Sequence, residues 1–376
     1  MVKKYILPLF LLLFFSCQNE ETIPPLFCAV PPAECGIKFT NTIQNTEDLN
    51  IFTYRNFYNG GGVGIGDFNN DGLPDLYLTA NMSANQLYLN KGNFEFENIT
   101  ESAGVALPDM WSTGVTVVDA NADGWLDIYV CNAGYEKGKL PENKLFINQK
   151  NLTFVEQAAD YGLNDAGYST HASFFDYDKD GDLDMYLVNN SFIPTNTLNY
   201  SNKRDLKYSD WDVADFLKGG GDKFFRNDNG KYVDASEVTG IYQSLIGFGL
   251  GVSVADVNGD MYEDIYISND FFERDYLYIN QKDGTFSEEL ENYFDHISHS
   301  SMGADIRDVN RDGQVDIFVT DMLPYDEIRL KTTASFDDIN LRKLKVSKGF
   351  YHQYMHNTLQ INQGNRFAEI AQFSGV

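Results

Sequence analysis

Apolar positions along this chain come in short bursts that are too brief for helices. Five apolar stretches, four of them containing Gly (GVGIG at 62–66, GVTVV at 114–118, ASFF at 172–175, GVSVA at 251–255, GADIR at 303–307), each run into a polar loop. A β-branched or aromatic run leaves each loop: DLYLTA from Asp75, DIYVCN from Asp127, DMYLVN from Asp184, DIYISN from Asp264 and DIFVTD from Asp316. Such runs, bounded by Gly, Asn and Asp, read as strands. A second pair follows in every unit. NQLYLN leads to FENIT, NKLFIN to FVEQA, DKFFRN to YVDAS, DYLYIN to FSEEL and NTLQIN to FAEIA. Each unit is therefore strand, loop, strand, turn, strand, turn, strand. Four strands in roughly 50 residues is the size of one propeller blade.

The loop between the first two strands is the strongest repeat. It reads DFNNDGLPDL from Asp67, DANADGWLDI from Asp119, DYDKDGDLDM from Asp176, DVNGDMYEDI from Asp256 and DVNRDGQVDI from Asp308, at spacings of 52, 57, 80 and 52 residues. The third unit is long through Pro194–Gly221, and the fifth through Asp321–His356. Both insertions fall between second and third strands, so they belong to one face. Long loops on a rigid scaffold are where partners are usually recognised.

Counted from its first Asp, each loop puts an oxygen side chain at positions 1, 3, 5 and 9. These are Asp67, Asn69, Asp71 and Asp75; Asp119, Asn121, Asp123 and Asp127; Asp176, Asp178, Asp180 and Asp184; Asp256, Asn258, Asp260 and Asp264; and Asp308, Asn310, Asp312 and Asp316. Ca²⁺ takes six to eight hard oxygen ligands in flexible geometry. Four oxygens within nine residues converge only on a sharp turn, and Gly72, Gly124, Gly181 and Gly313 at position 6 supply it. The fourth loop has Met261 there and Gly259 at position 4, which predicts weaker binding or a different bend. An EF-hand would need Glu at position 12, where the chain has Leu78, Val130, Leu187, Ile267 and Val319. Asp and Asn also favour turns without metal, but that preference does not keep four oxygens in one register five times. About five structural Ca²⁺ are expected. They would change the net charge from −27 to about −17 and relieve repulsion among clustered carboxylates, so they should add stability.

These residues resemble the FG-GAP or VCBS repeats. The likeness rests on YNGGGVGIGDFNNDGLPDLYL, the N-x-L-Y-L-N turns and the A-G-V endings (Ala103-Gly104-Val105), and it spans about 36–376. Within that family the chain is most similar to bacterial lipoproteins related to cartilage acidic protein, which often carry an ASPIC/UnbV domain; no such segment is visible here. The resemblance implies an all-β propeller of four-stranded blades like the integrin α-chain head, with calcium loops bridging the first two strands. Blades there often number seven. The five loops here imply a chain truncated relative to its family, with an incomplete or open ring, or else a closed ring of five. GIKFTNTI at 36–43 reads as a strand that would complete the last blade.

Ahead of the repeats, Lys3 and Lys4 precede an apolar run from Tyr5 to Phe15. That run is too short to span a membrane and suits a signal peptide. Residues 1–17 end in Phe14-Phe15-Ser16-Cys17, which resembles a lipobox and makes Cys17 the expected lipidated residue. Gln18-Asn19-Glu20-Glu21 then resembles a surface-export tag, implying an outer-membrane lipoprotein that faces outward. Residues 18–35 form a Pro-rich tether in which Cys28 and Cys35 are expected to pair in an oxidising compartment. Cys131, after an apolar strand, should be a buried free thiol. A net charge of −27 sets nucleic acid and direct contact with an anionic membrane aside.

Catalytic signatures are missing: the chain has no GxSxG, P-loop or HExxH. His352/His356 and His296/His299 have helical metal spacing, but two His without a nearby Glu or Cys read as loop residues. Trp111, near a strand, should be core. Trp211, inside the long insertion, is the best candidate for an aromatic facing a ligand. The expected function is a non-catalytic surface module recognising a protein or glycan. The competing reading is a hydrolase or lyase acting on polysaccharide or phosphoester with calcium as electrophile.

Overall fold

A computed structural model describes residues 26–134, 140–201, 203–333 and 338–376. Cys17 and the signal segment lie outside them. Among the described residues no helix is long and apolar enough to cross a membrane.

The structure is all-β, and its described residues form five four-stranded antiparallel sheets in which sequence neighbours pair. The first sheet is Val63–Gly66, Asp75–Leu78, Gln86–Asn90 and Phe96–Asn98. The second is Trp111–Val118, Asp127–Ala133, Lys144–Asn148 and Phe154–Glu156. The third is Ser169–Phe175, Asp184–Asn189, Lys223–Asn227 and Tyr232–Asp234. The fourth is Gly249–Ala255, Asp264–Asn269, Tyr276–Asn280 and Phe286–Glu288. The fifth is Ser301–Arg307, Asp316–Asp321, Thr358–Asn362 and Phe367–Glu369. A helical turn follows each fourth strand. Gly104, Gly162, Gly240 and Gly375 close four of these turns in the left-handed conformation, which is the physical content of the A-G-V endings.

Between successive sheets the core is aromatic and branched aliphatic. Phe68, Tyr77, Val115, Ile128 and Phe146 fill the first gap, and Tyr186, Phe224, Ile265, Ile267 and Tyr278 fill a later one. First strands of neighbouring sheets run side by side, linked by hydroxyl-to-carbonyl bonds. Thr113 Oγ1 donates to Ser169 O at 2.6 Å, Thr170 Oγ1 to Gly249 O at 2.9 Å and Ser253 Oγ to Ala304 O at 2.7 Å. The approach is so close that a Cβ on Gly114 would lie 2.3 Å from Thr170 O. Gly62 is held in the same way, its Cβ position lying 2.9 Å from Thr113 O.

Gly62, Thr113, Gly114, Thr170, His171, Leu250 and Met302, from all five units, line one shared cavity of about 700 Å³. The segment ahead of the first sheet packs at this cavity: Tyr54 and Phe57 sit against Trp111, and Arg55 Nη2 donates to Ser191 O at 2.5 Å. Trp111 is core, as expected.

Two expectations are corrected. GIKFTNTI forms no strand and does not join the fifth sheet, which supplies its own fourth strand. It runs along the first sheet instead, where Lys38 N donates to Tyr88 Oη at 3.1 Å and Asn41 Nδ2 to Asn81 Oδ1 at 2.7 Å. Cys28 and Cys35 are not joined. Cys28 is exposed, while Cys35 is buried at the end of the turn Pro32–Cys35 and donates to Pro32 O.

The insertions are not free loops. The third carries three short 3₁₀ turns, and the fifth carries helices Glu327–Thr333 and Ile339–Ser347. Tyr200 of the third insertion stacks on Phe272 at 5.0 Å and meets Phe350 of the fifth edge-on at 4.9 Å. Trp211 belongs to this cluster. It is half-buried and its Nε1 donates to Leu206 O at 3.2 Å, so the structure gives its ring a packing role.

Candidate metal centre

The five acidic loops share one hydrogen-bond scheme. The position-1 carboxylate accepts the N–H groups of positions 5 and 6: Asp67 takes those of Asp71 (3.1 Å) and Gly72 (2.7 Å), and Asp176 those of Asp180 and Gly181 (both 3.1 Å). The position-3 oxygen accepts the N–H of position 5, at 3.1 Å in the first two loops. Positions 4 and 6 both need positive φ. Position 4 uses Asn70, Ala122, Lys179, Gly259 and Arg311; position 6 uses four glycines and Met261 at φ 70°. The fourth loop thus bends like the others, and Met261 N donates to Asp256 Oδ2 at 2.7 Å as the glycines do. The expected difference in bend is not found.

Position 9 is the buried member, and it does more than the sequence implied. Asp75 accepts Phe68 N at 3.0 Å and Asn90 N at 2.8 Å. Asp127 accepts Ala120 N and Asn148 N, Asp184 accepts Tyr177 N and Asn227 N, Asp264 accepts Val257 N and Asn280 N, and Asp316 accepts Val309 N and Asn362 N. Each therefore ties the loop to the end of the third strand. The asparagine there is a functional residue that the sequence reading passed over. Asn148, Asn280 and Asn362 reach the preceding unit through Phe68 O, Tyr177 O and Val257 O, at 2.8–2.9 Å. The recurring final Asn of N-x-L-Y-L-N was the signal.

Burial raises the carboxyls of Asp75, Asp127, Asp184 and Asp264, opposed by the N–H bonds and reinforced by neighbouring carboxylates. Asp127 is pushed up to about 6, Asp184 and Asp264 to about 7, and Asp75 upward. Lys150 and Lys282 lie 3.3 and 3.2 Å from the position-5 carboxylates of the second and fourth loops. The donor set fits a hard divalent cation best in the third loop, where carboxylate oxygens of Asp176, Asp178 and Asp184 all lie within 4.8 Å of one another.

The only other such group among the described residues combines His296, His356 and Glu369. The sequence paired these histidines differently, by helical spacing. Neither lies in a helix, and the structure unites two residues 60 apart with a Glu from the last strand.

Comparison with known proteins agrees on the repeat. A model of the FG-GAP-like repeat matches residues 67–130 and 256–319, two stretches that each begin at a position-1 Asp. No curated protein matches. Among solved structures, the chain is similar to an Agrocybe aegerita lectin described for specific recognition of non-reducing terminal N-acetylglucosamine (13% identity, TM-score 0.38, covering 81% of this chain and 78% of the lectin). It is also similar to a GH43 β-1,3-galactosidase with galactodeoxynojirimycin (10% identity, TM-score 0.33, covering 71% and 86%). The chain carries FG-GAP-like repeats on an all-β scaffold of four-stranded antiparallel sheets.

Proposed function

We propose that this chain is a calcium-stabilised, non-catalytic β-propeller module that holds a binding face outside the cell, tethered by lipid at Cys17. The observation that carries the calcium reading is the fivefold scheme itself: four oxygen side chains in one register on one backbone bend, with a buried Asp at position 9. Asp67, Asp119, Asp176, Asp256 and Asp308, with their partners at positions 3, 5 and 9, would each hold one Ca²⁺ between the first two strands of a sheet. The ion would offset carboxylate repulsion and lock each loop to the next strand pair. The ring reading is supported by the cavity that all five units line together. The binding face is the packed pair of insertions, 194–221 and 321–356, and its partner is a protein or a glycan.

The experiment is thermal unfolding of the chain from Gln18 onward, in millimolar calcium and in excess chelator, with calorimetric titration of the ion. A large calcium-dependent rise in melting temperature with several ions per chain is expected. An unchanged melting temperature with no bound ion would refute the calcium reading.

A further inference from the structure

At the edge of the fifth sheet three segments meet. His296 leads into a short strand, Ile297–Ser298, which pairs in parallel with Gln353–Tyr354 at the end of the long insertion. His356 follows that insertion strand by two residues, and Glu369 ends the fourth strand of the fifth sheet. His Nε2 or Nδ1 atoms and a carboxylate oxygen from the three residues all lie within 4.8 Å of one another, and all three residues are half-buried.

Each side chain is already oriented. His356 Nδ1 donates to Asn357 O at 2.5 Å, which leaves Nε2 as the free lone pair. The His296 ring stands edge-on to Tyr354, with centroids 5.1 Å apart, and His296 O accepts Gln360 Nε2 at 2.9 Å. Glu369 Oε1 accepts Ala371 N at 2.6 Å, leaving Oε2 turned toward His296 Nε2 at 3.6 Å. That separation exceeds a hydrogen bond. It matches the roughly 3.4 Å between neighbouring ligand atoms of a tetrahedral ion with bonds of about 2.0–2.1 Å. The fourth sheet provides an internal comparison. There Glu288 Oε1 accepts Leu290 N in the same way, but Oε2 is taken by the Arg274 guanidinium. In the fifth sheet two imidazoles stand in place of that cation.

We propose that His296, His356 and Glu369 form a site for one zinc-class divalent transition metal, separate from the acidic loops. Two imidazole nitrogens and one carboxylate oxygen are a borderline donor set, which selects Zn²⁺, Ni²⁺, Cu²⁺ or Co²⁺ over Ca²⁺. Three protein ligands leave a fourth position for water or for a donor atom from a partner. Because its ligands come from three segments, the ion clasps the 321–356 insertion to the last sheet and to the exit of the fourth.

The test uses the tag-free full chain, calcium-saturated so that the acidic loops do not compete. Zn²⁺ is titrated calorimetrically, and Co²⁺ is followed by its visible d–d bands. One ion per chain with a four-coordinate cobalt spectrum is expected. H296A, H356A and E369Q should each weaken binding more than about 100-fold, beyond the roughly 10–100-fold loss typical of an outer-shell partner. H352A, four residues from His356 but outside the trio, should bind like the parent. Unchanged calcium-dependent melting shows that each variant folds. The assignment is overturned if no stoichiometric ion binds, if E369Q binds like the parent, or if H352A removes the site.

Discussion

Two buried carboxylates outside the metal loops should make this protein lose stability as pH rises. Asp222 and Asp275 immediately precede the third strands of the third and fourth sheets and are almost fully buried. Asp222 accepts Asn189 N at 2.8 Å and Tyr186 Oη at 2.9 Å. Asp275 accepts Asn269 N at 2.8 Å, Tyr266 Oη at 2.5 Å and Ser301 Oγ at 2.7 Å. Burial outweighs those bonds and pushes both up to about 7. The unfolded value is about 3.9, so between roughly pH 4 and 7 the folded state holds more protons than the unfolded one. The stability involved is fully present below about pH 4 and is lost as pH rises through about 7. Three pKa units correspond to about 4 kcal/mol per group, taken as an upper limit. The other sheets show how to remove this dependence. Asn85, Asn143 and Asn357 stand at the same place and accept Ala80 N, Asn132 N and Asp321 N, each at 2.8 Å, without any charge. The double variant Asp222→Asn, Asp275→Asn should match the parent near pH 4 and exceed it by several kcal/mol near pH 8, measured by denaturant unfolding at each pH. A double variant that is less stable than the parent by the same amount at both pH values would refute the reasoning. It would mean that the carboxylates are held in one charge state throughout.

Asp178→Ala, at position 3 of the third loop, should lower the melting temperature only when calcium is present. Asp184→Asn at position 9 should also cost about 1–3 kcal/mol in chelator, because the N–H of Tyr177 or Asn227 loses its acceptor; equal behaviour of the two variants in chelator would contradict the double role of position 9. Met261→Gly should raise stability by about 1 kcal/mol by relieving the left-handed backbone at φ 70°, read from the denaturation midpoint. Gly114→Ala should cost about 3 kcal/mol, the upper end for overpacking, since its Cβ would lie 2.3 Å from Thr170 O; a neutral result would show that the first strands can move apart.

The sheets were legible in the sequence because each strand stays beside its neighbour in the chain. A local pattern of apolar runs and turns then fixes the pairing order, and the insertions fall where the repeat length says they must. The same locality explains the misreadings. GIKFTNTI has the composition of a strand, but whether it pairs depends on which edge is free, and the fifth sheet already fills its own with Phe367–Glu369. Position 9 looked like one more ligand because its other duty is to an N–H group 15 to 46 residues away, at Asn90 or Asn362. The histidines read as loop residues because a spacing of three or four carries meaning only on a helix, and none is there; what the spacing missed is a partner far along the chain. His296 reaches His356 because a two-residue parallel pairing brings Ile297 beside Gln353. Such a contact leaves no periodic trace, so a ligand set gathered from three segments becomes visible only once the chain is folded.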